Sequence, residues 1–218
     1  QVSFSKSLTI RGIGETPEDV IIRNTTANPD TYYHRTLEIN NIDGRIENVT
    51  IENGCVKNEF GGNLRIVEGI VSNCVIRGGL AVADNGNSGG AGVLIAGSGI
   101  LTHCIVSNNI VRGTSNNGSY AGGAIIIAYN AQKGRVSNSL IAYNTYESSD
   151  SAKAGAAGIR FVGSNDNTLI ENNTIVSNVV IGALADDSAG IHCTTWYGRL
   201  RNNIVMGNYE TLKDKITS

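Results

Sequence analysis

One short phrase recurs along the chain: an aliphatic residue, a spacer, Asn, and a second aliphatic three residues further on. It reads Ile46-Glu47-Asn48-Val49-Thr50-Ile51, then Val71-Ser72-Asn73-Cys74-Val75-Ile76, then Leu101-Thr102-His103-Cys104-Ile105-Val106. It returns as Val136-Ser137-Asn138-Ser139-Leu140-Ile141, Ile170-Glu171-Asn172-Asn173-Thr174-Ile175 and Leu200-Arg201-Asn202-Asn203-Ile204-Val205. Successive Asn positions, with His103 standing in once, are 25, 30, 35, 34 and 30 residues apart. Two further columns keep this register. Gly62, Gly92, Gly123, Gly158 and Gly190 open apolar runs, and Gly54, Gly79, Asn109, Asn144, Asn178 and Asn208 follow the second aliphatic by three. A fixed period of this length is the signature of a solenoid.

The period leaves no room for helix. No segment sustains i, i+3, i+4 apolar spacing, and the aliphatic pieces are short and bounded by Gly, Asn and Ser. Helical repeats and leucine-rich repeats are therefore excluded. What remains is a coil of three short strands per turn. About seven such coils, each rising about 4.8 Å, stack into three parallel sheets. The Asn column has a physical reason. The chain must bend sharply between the second and third strands, in a left-handed conformation that Asn and Gly tolerate best. Stacked Asn side chains can then hydrogen-bond from coil to coil as an amide ladder. His103 occupies such a bend, and a structural role there outweighs a catalytic one.

These phrases resemble the right-handed parallel β-helix of the pectate-lyase-like superfamily. Gly122-Gly123-Ala124-Ile125 and Asn73-Cys74-Val75-Ile76 also resemble repeats of polymorphic outer-membrane and related bacterial surface proteins. The resemblance spans nearly all of the chain. It implies one all-β domain over residues 1–218, read as a piece of something longer with open or minimally capped ends. It also implies an extracellular or cell-surface location in a bacterium. The matching residues are scaffold, so the resemblance speaks to fold more than to activity.

Composition narrows the partners. Only 17% of residues are charged and the net charge is −2, which excludes the concentrated basic surface of a nucleic-acid binder. No apolar run is long enough for a membrane-spanning helix. The four cysteines, at 55, 74, 104 and 193, form no CxxC pair, so neither a metal site nor any other cofactor is expected. Cys74 and Cys104 share a phase in neighbouring coils and read as stacked buried thiols rather than a disulfide. Cys193 reads as an inward core residue. Sequons that use Asn48 and Asn172 read as buried and incidental.

Chemistry, if present, belongs on the long same-phase loops 81–90, 114–122, 146–155 and 181–190. In the resembling fold the strand after the Gly forms a groove floor, and alternation there sends Arg65, Leu94, Ile125, Arg160 and His192 outward. Lyases and hydrolases of the superfamily use clustered carboxylates, some with calcium and an Arg or Lys base. The corresponding candidates are Asp150, Asp186 and Asp187 with Arg160 and His192. Trp196 and Tyr197, with Arg65, are candidates for ligand binding. Three functions compete. The first is a non-enzymatic surface module: scaffold, adhesin or passenger-type domain. The second is a polysaccharide lyase or glycoside hydrolase, and the third a carbohydrate-binding module. The corresponding partners are a polysaccharide or cell-surface ligand, and further copies docked end to end through open coils.

Overall fold

The computed structural model describes residues 2–25, 33–84, 88–113, 121–128, 130–147, 155–162, 165–182, 187–194 and 197–211. It is a parallel β-helix. Among the described residues all strand pairings are parallel, and the one helical element is the single 3₁₀ turn Pro17–Asp19. Most strands are three-residue pieces because the aliphatic runs are that short: each contributes one or two side chains to the interior before an Asn or Gly turns the chain.

Each full coil holds four strands rather than three. The fourth coil runs Val93–Ile95, Ile100–Thr102, Ile105–Ser107 and Ile110–Gly113. The sheets nevertheless number three, apart from one short pair. The first and second strands of every coil belong to one twelve-stranded sheet. The long strands Leu37–Glu47 and Leu64–Ser72 run through both positions, with an irregularity beside Asn40. The third strands form a seven-stranded sheet from Ile21–Arg23 to Ile204–Met206, one strand for each of seven coils. The fourth strands form a six-stranded sheet from Cys55–Lys57 to Tyr209–Thr211. Leu80–Ala83 belongs here and overlaps the stretch 81–90 assigned by sequence to a loop.

Alternation places one aliphatic column per strand position in the tube. Val71, Leu101, Val136 and Ile170 stack on the second strands, and Ile51, Ile76, Val106, Ile141 and Ile175 on the third, all buried. A second, smaller core packs Val56, Ala81, Val111, Tyr146 and Val180 of the fourth strands against Ala91, Ala157 and Ala189. In the last coil the inward positions Leu200 and Val205 are about half exposed, although their register partners Ile170 and Ile175 are fully buried. Cys193 shares this exposure. It is in register with buried Phe161, so its expected inward direction holds while its expected burial does not.

The bends explain the Asn columns. Asn48, Asn73, His103, Asn138, Asn172 and Asn202 all have φ between 50° and 55°, the left-handed turn expected of them. Their side chains lie on the outer side of the bend, where in the early coils Asn73 Nδ2 donates to Asn48 Oδ1 at 3.0 Å and Asn48 Nδ2 to Gly12 O and Gly14 O. Asn172 lies on the surface and Asn48 is only half-buried, so the sequons there are not interior. His103 is exposed, with Nδ1 3.0 Å from the Thr102 hydroxyl. The buried amide ladder of this bend lies one residue later. Asn203 Oδ1 accepts the Asn173 backbone N–H, Asn173 Oδ1 accepts that of Ser139, and Ser139 Oγ accepts that of Cys104.

A longer ladder fills the next bend, between third and fourth strands. Asn109, Asn144, Asn178 and Asn208 each accept, through Oδ1, the backbone N–H of the preceding coil. Each donates Nδ2 to a carbonyl in that coil. The early coils carry Gly54 and Gly79 in this column, and Gly79 offers no side chain to answer the Gly54 N–H. Asn63 does so from the adjoining corner. Its Oδ1 accepts the Gly54 N–H at 2.7 Å, and its Nδ2 lies 2.8 Å from Arg77 O and 3.1 Å from Asn109 Oδ1. Gly79 has to remain glycine because the Ala91 carbonyl would sit 2.0 Å from any Cβ there.

Candidate functional site

The outward column of the first strands is the natural place for a groove. Strand pairing sets it as Ser3, Glu38, Arg65, Leu94, Ile126, Arg160 and His192. Ile126, not Ile125, is the outward member. Ile125 pairs with Val93 and Ile159 and faces the core, because the run Ile125-Ile126-Ile127 gives no alternation from which to choose a register.

The middle of this column is covered. Leu94, Ile126 and Arg160 are 7%, 2% and 2% exposed. The glycine turn before each first strand folds over the outward residue of the next coil. A Cβ on Gly61 would lie 2.9 Å from Leu94 Cβ, one on Gly89 2.5 Å from Ile126 Cδ1, and one on Gly123 3.1 Å from Arg160 Cβ. Ser88–Gly89 and Ala121–Gly122 pair as a two-stranded ribbon along this cover, continued by bridges from Phe60 to Gly89 and from Ala156 to Ser188. Glycine is needed here because the ribbon lies at van der Waals distance from the sheet.

Asp187 lies on the same cover. It is buried, and its Oδ1 accepts the Gly155 backbone N–H at 2.7 Å, tying one coil to the next. Arg160 and His192 stand in register on adjacent coils, Arg160 fully buried and His192 half-buried. Tyr197 is 52% exposed, two residues before the second strand of the last coil. Asp150, Asp186 and Trp196 lie outside the described residues. Among the described residues, no three of His, Cys, Asp and Glu are grouped to hold a metal, and no helix is long and apolar enough to cross a membrane.

At the other end of the column Arg35, invisible as a motif, gathers with Glu38 and the sequence candidate Arg65. Arg35 is almost buried; it donates Nε to Gly61 O, Nη2 to Phe60 O and Nη1 to Glu38, at 2.9, 2.7 and 2.9 Å. Burial pulls its guanidinium below the ordinary value, and Glu38 opposes that. Arg65 stands opposite, with Nη1 3.5 Å from the same Glu38 carboxylate. A shallow pocket opens between Arg35, Asn58, Glu59, Phe60, Arg65 and Leu94. Arg35 could not be found from sequence because it precedes the repeat phase. Only its contact with the Phe60-Gly61 turn reveals it.

On the third-strand face, Glu52 is bracketed by Arg23 and Arg77, whose side chains approach to 2.5 and 2.7 Å. Burial pushes its carboxyl up, but the hydrogen bonds from Arg77 and Arg23 outweigh this and hold it below the ordinary range. The thiols of Cys55, Cys74 and Cys104 are free and buried. Burial raises Cys55 to about 11 and Cys104 well above its usual value, which makes them poor nucleophiles. The chain matches no family model, no curated protein and no solved structure.

Proposed function

We propose that this chain is a non-catalytic β-helical module of a bacterial extracellular or cell-surface protein, a rigid scaffold in an adhesin or passenger-type role. One observation carries the reading: the face where a substrate groove would lie is overlaid by its own glycine turns. Two polar groups near it hold coils together. Asp187 caps Gly155, and Arg35 ties the Phe60-Gly61 turn to Glu38. The assignment to the cell surface rests on low charge, abundant Asn, Ser and Thr, and analogy of fold. End-to-end docking of further coils belongs to the same reading, supported by the half-exposed Leu200 and Val205 of the last coil.

The test is turnover. Wild type and Asp187→Ala are incubated with acidic and neutral polysaccharides, following new reducing ends and the ultraviolet absorbance of unsaturated products. The expected result is no product from either protein. Turnover by wild type that disappears in a folded Asp187→Ala protein would replace the scaffold reading with an enzymatic one.

A further inference from the structure

We infer that the outer face of the third-strand sheet is the contact surface of a symmetric dimer, a second copy of this chain packed on it with its coils stacked in the opposite direction. Residues that point away from the core in this sheet stand in two columns, one on each side of the buried aliphatic column. In the first of them Ile105, of the fourth coil, is the middle of seven. Counted outward from it, Val75 matches Leu140, Thr50 matches Thr174 and Ile21 matches Ile204. A two-fold axis along the Ile105–Ser107 strand sets each of these residues on its match and Ile105 on itself. An isologous contact requires a face that is complementary to its own inverse, and this column reads alike from either end. Ile21, Ile105 and Ile204 are 42%, 40% and 55% exposed, so the single chain leaves apolar surface along it.

The corner beside this sheet supplies a knob. Tyr143 turns the chain between the third and fourth strands of the fifth coil with φ 57°, a left-handed conformation unfavourable for so bulky a residue. It is 64% exposed. The same corner of the other coils uses Asn53, Gly78, Asn108, Ser177 and Gly207. The two-fold axis brings Tyr143 over Gly78 of the third coil, which is exposed and has no side chain. Two such contacts flank the axis. An aromatic ring seated where the partner offers only backbone is a natural anchor for an interface. The left-handed Tyr143 thus has a use in the pair that it lacks in the single chain.

Charge and area agree with this pairing. The insertion 13–19 leaves the second bend of the first coil, where Pro17 O accepts the Thr50 hydroxyl at 3.0 Å. It carries exposed Glu15, Glu18 and Asp19. The seventh coil, set opposite by the axis, brings exposed Arg199 and Arg201 to the same bend, and neither forms an ion pair among the described residues. In the second column Arg23, Glu52 and Arg77 come opposite Met206, Val176 and Ala142. They enter as one ion-paired group, with arginine stems to lay on those apolar side chains. Six strand spacings make the face about 29 Å tall, and with a bend on either side it is roughly 20 Å wide. A contact of that size is at the low end of specific interfaces. The inference does not rest on the scaffold reading, since a catalytic chain could pair in the same way.

The experiment is sedimentation velocity of the whole chain over a range of concentrations. Monomer should give way to dimer with a Kd of about 10–100 µM. Tyr143→Asn keeps the left-handed bend and removes the ring, and Ile105→Lys sets two like charges on the axis. Each should weaken the dimer at least about tenfold, with the melting temperature of dilute Tyr143→Asn no lower than that of wild type. Crosslinking reads the geometry. In a Cys193→Ser background, which leaves only the three buried thiols, Ile105→Cys should form a disulfide-linked dimer under mild oxidation. Met206→Cys should not, since the axis sets it about six strand spacings from its own mate. Should Ile105→Lys fail to fold, Tyr143→Asn and the Ile105→Cys crosslink decide. Monomer at every concentration, crosslinking through Met206 instead of Ile105, or assembly that persists at full strength in folded Tyr143→Asn would each overturn the inference, the last by pointing to end-to-end docking through the final coil.

Discussion

At the scale of single residues, the fold divides two duties between neighbouring Asn columns. Asn138 supplies the left-handed backbone, with φ 50°, and leaves its side chain in water. Asn144 does the reverse work, buried with Oδ1 and Nδ2 bridging coils. Asn144→Ala strands a buried N–H and a buried carbonyl, and should lower unfolding free energy by about 1–3 kcal/mol for each orphan. Asn138→Gly should stay within about 0.5 kcal/mol of wild type, because glycine adopts the same bend. Urea unfolding of both proteins checks the contrast. Glu52 adds a pH dependence. Its carboxyl is depressed in the folded state, so its contribution is fully present above the unfolded value of about 4.3 and is lost as pH falls through the lower folded value. Melting temperatures between pH 7 and pH 3 should therefore fall more steeply for wild type than for Glu52→Gln.

At the scale of elements, the unit of construction is a three-residue strand and the corner after it. Local pattern suffices where apolar and polar residues alternate, as in Val71-Ser72 and Val136-Ser137, and the second and third strands were legible for that reason. It fails where every residue is apolar. Ile125-Ile126-Ile127 offers no choice of face, and only pairing with Leu94 and Arg160 makes Ile126 the outward member. The fourth strands were obscured differently. They follow a Gly/Asn corner, and Leu80–Ala83 runs straight into a loop, so a strand and its exit read as one irregular segment. The cover over the first strands was also illegible. The glycine column at 62, 92 and 123 was plain, but of the glycines lying over the sheet only Gly123 belongs to it; the closeness of Gly89 to Ile126 is a contact between residues 37 positions apart. Gly89→Val should force the ribbon off the sheet, since Gly122 O lies only 2.3 Å from where a Cβ would be. Increased protease cleavage within 85–90 and greater binding of a hydrophobic dye are the expected readouts. The third-strand column should be left intact, with unchanged hydrogen-exchange protection at Ile141 and Ile175.

At the scale of the molecule, each coil touches chiefly the coils before and after it, so stability should behave as a sum of coils and interfaces. Ile141→Ala, in the middle of the third-strand column, should cost about 2–5 kcal/mol. Val205→Ala, in the half-exposed last coil, should cost much less. Hydrogen exchange can separate the two: Val205→Ala should raise exchange only in residues 199–211, and Ile141→Ala should raise it through the coils on either side. Cross-coil ion pairs such as Arg112–Glu147 and Arg135–Glu171 keep their arginine side chains 44% exposed and add little to this sum.

Asn63 sets a condition on how such a molecule can be edited. Most coils are self-sufficient at the third corner, because each brings the amide that its predecessor requires. The turn bearing Gly54 borrows its acceptor from a residue nine positions downstream, past the point where the next turn begins. Shortening or lengthening the spring by whole turns is therefore tolerable from Asn109 onward. An excision that separates Gly54 from Asn63 would leave a buried donor with nothing to receive it.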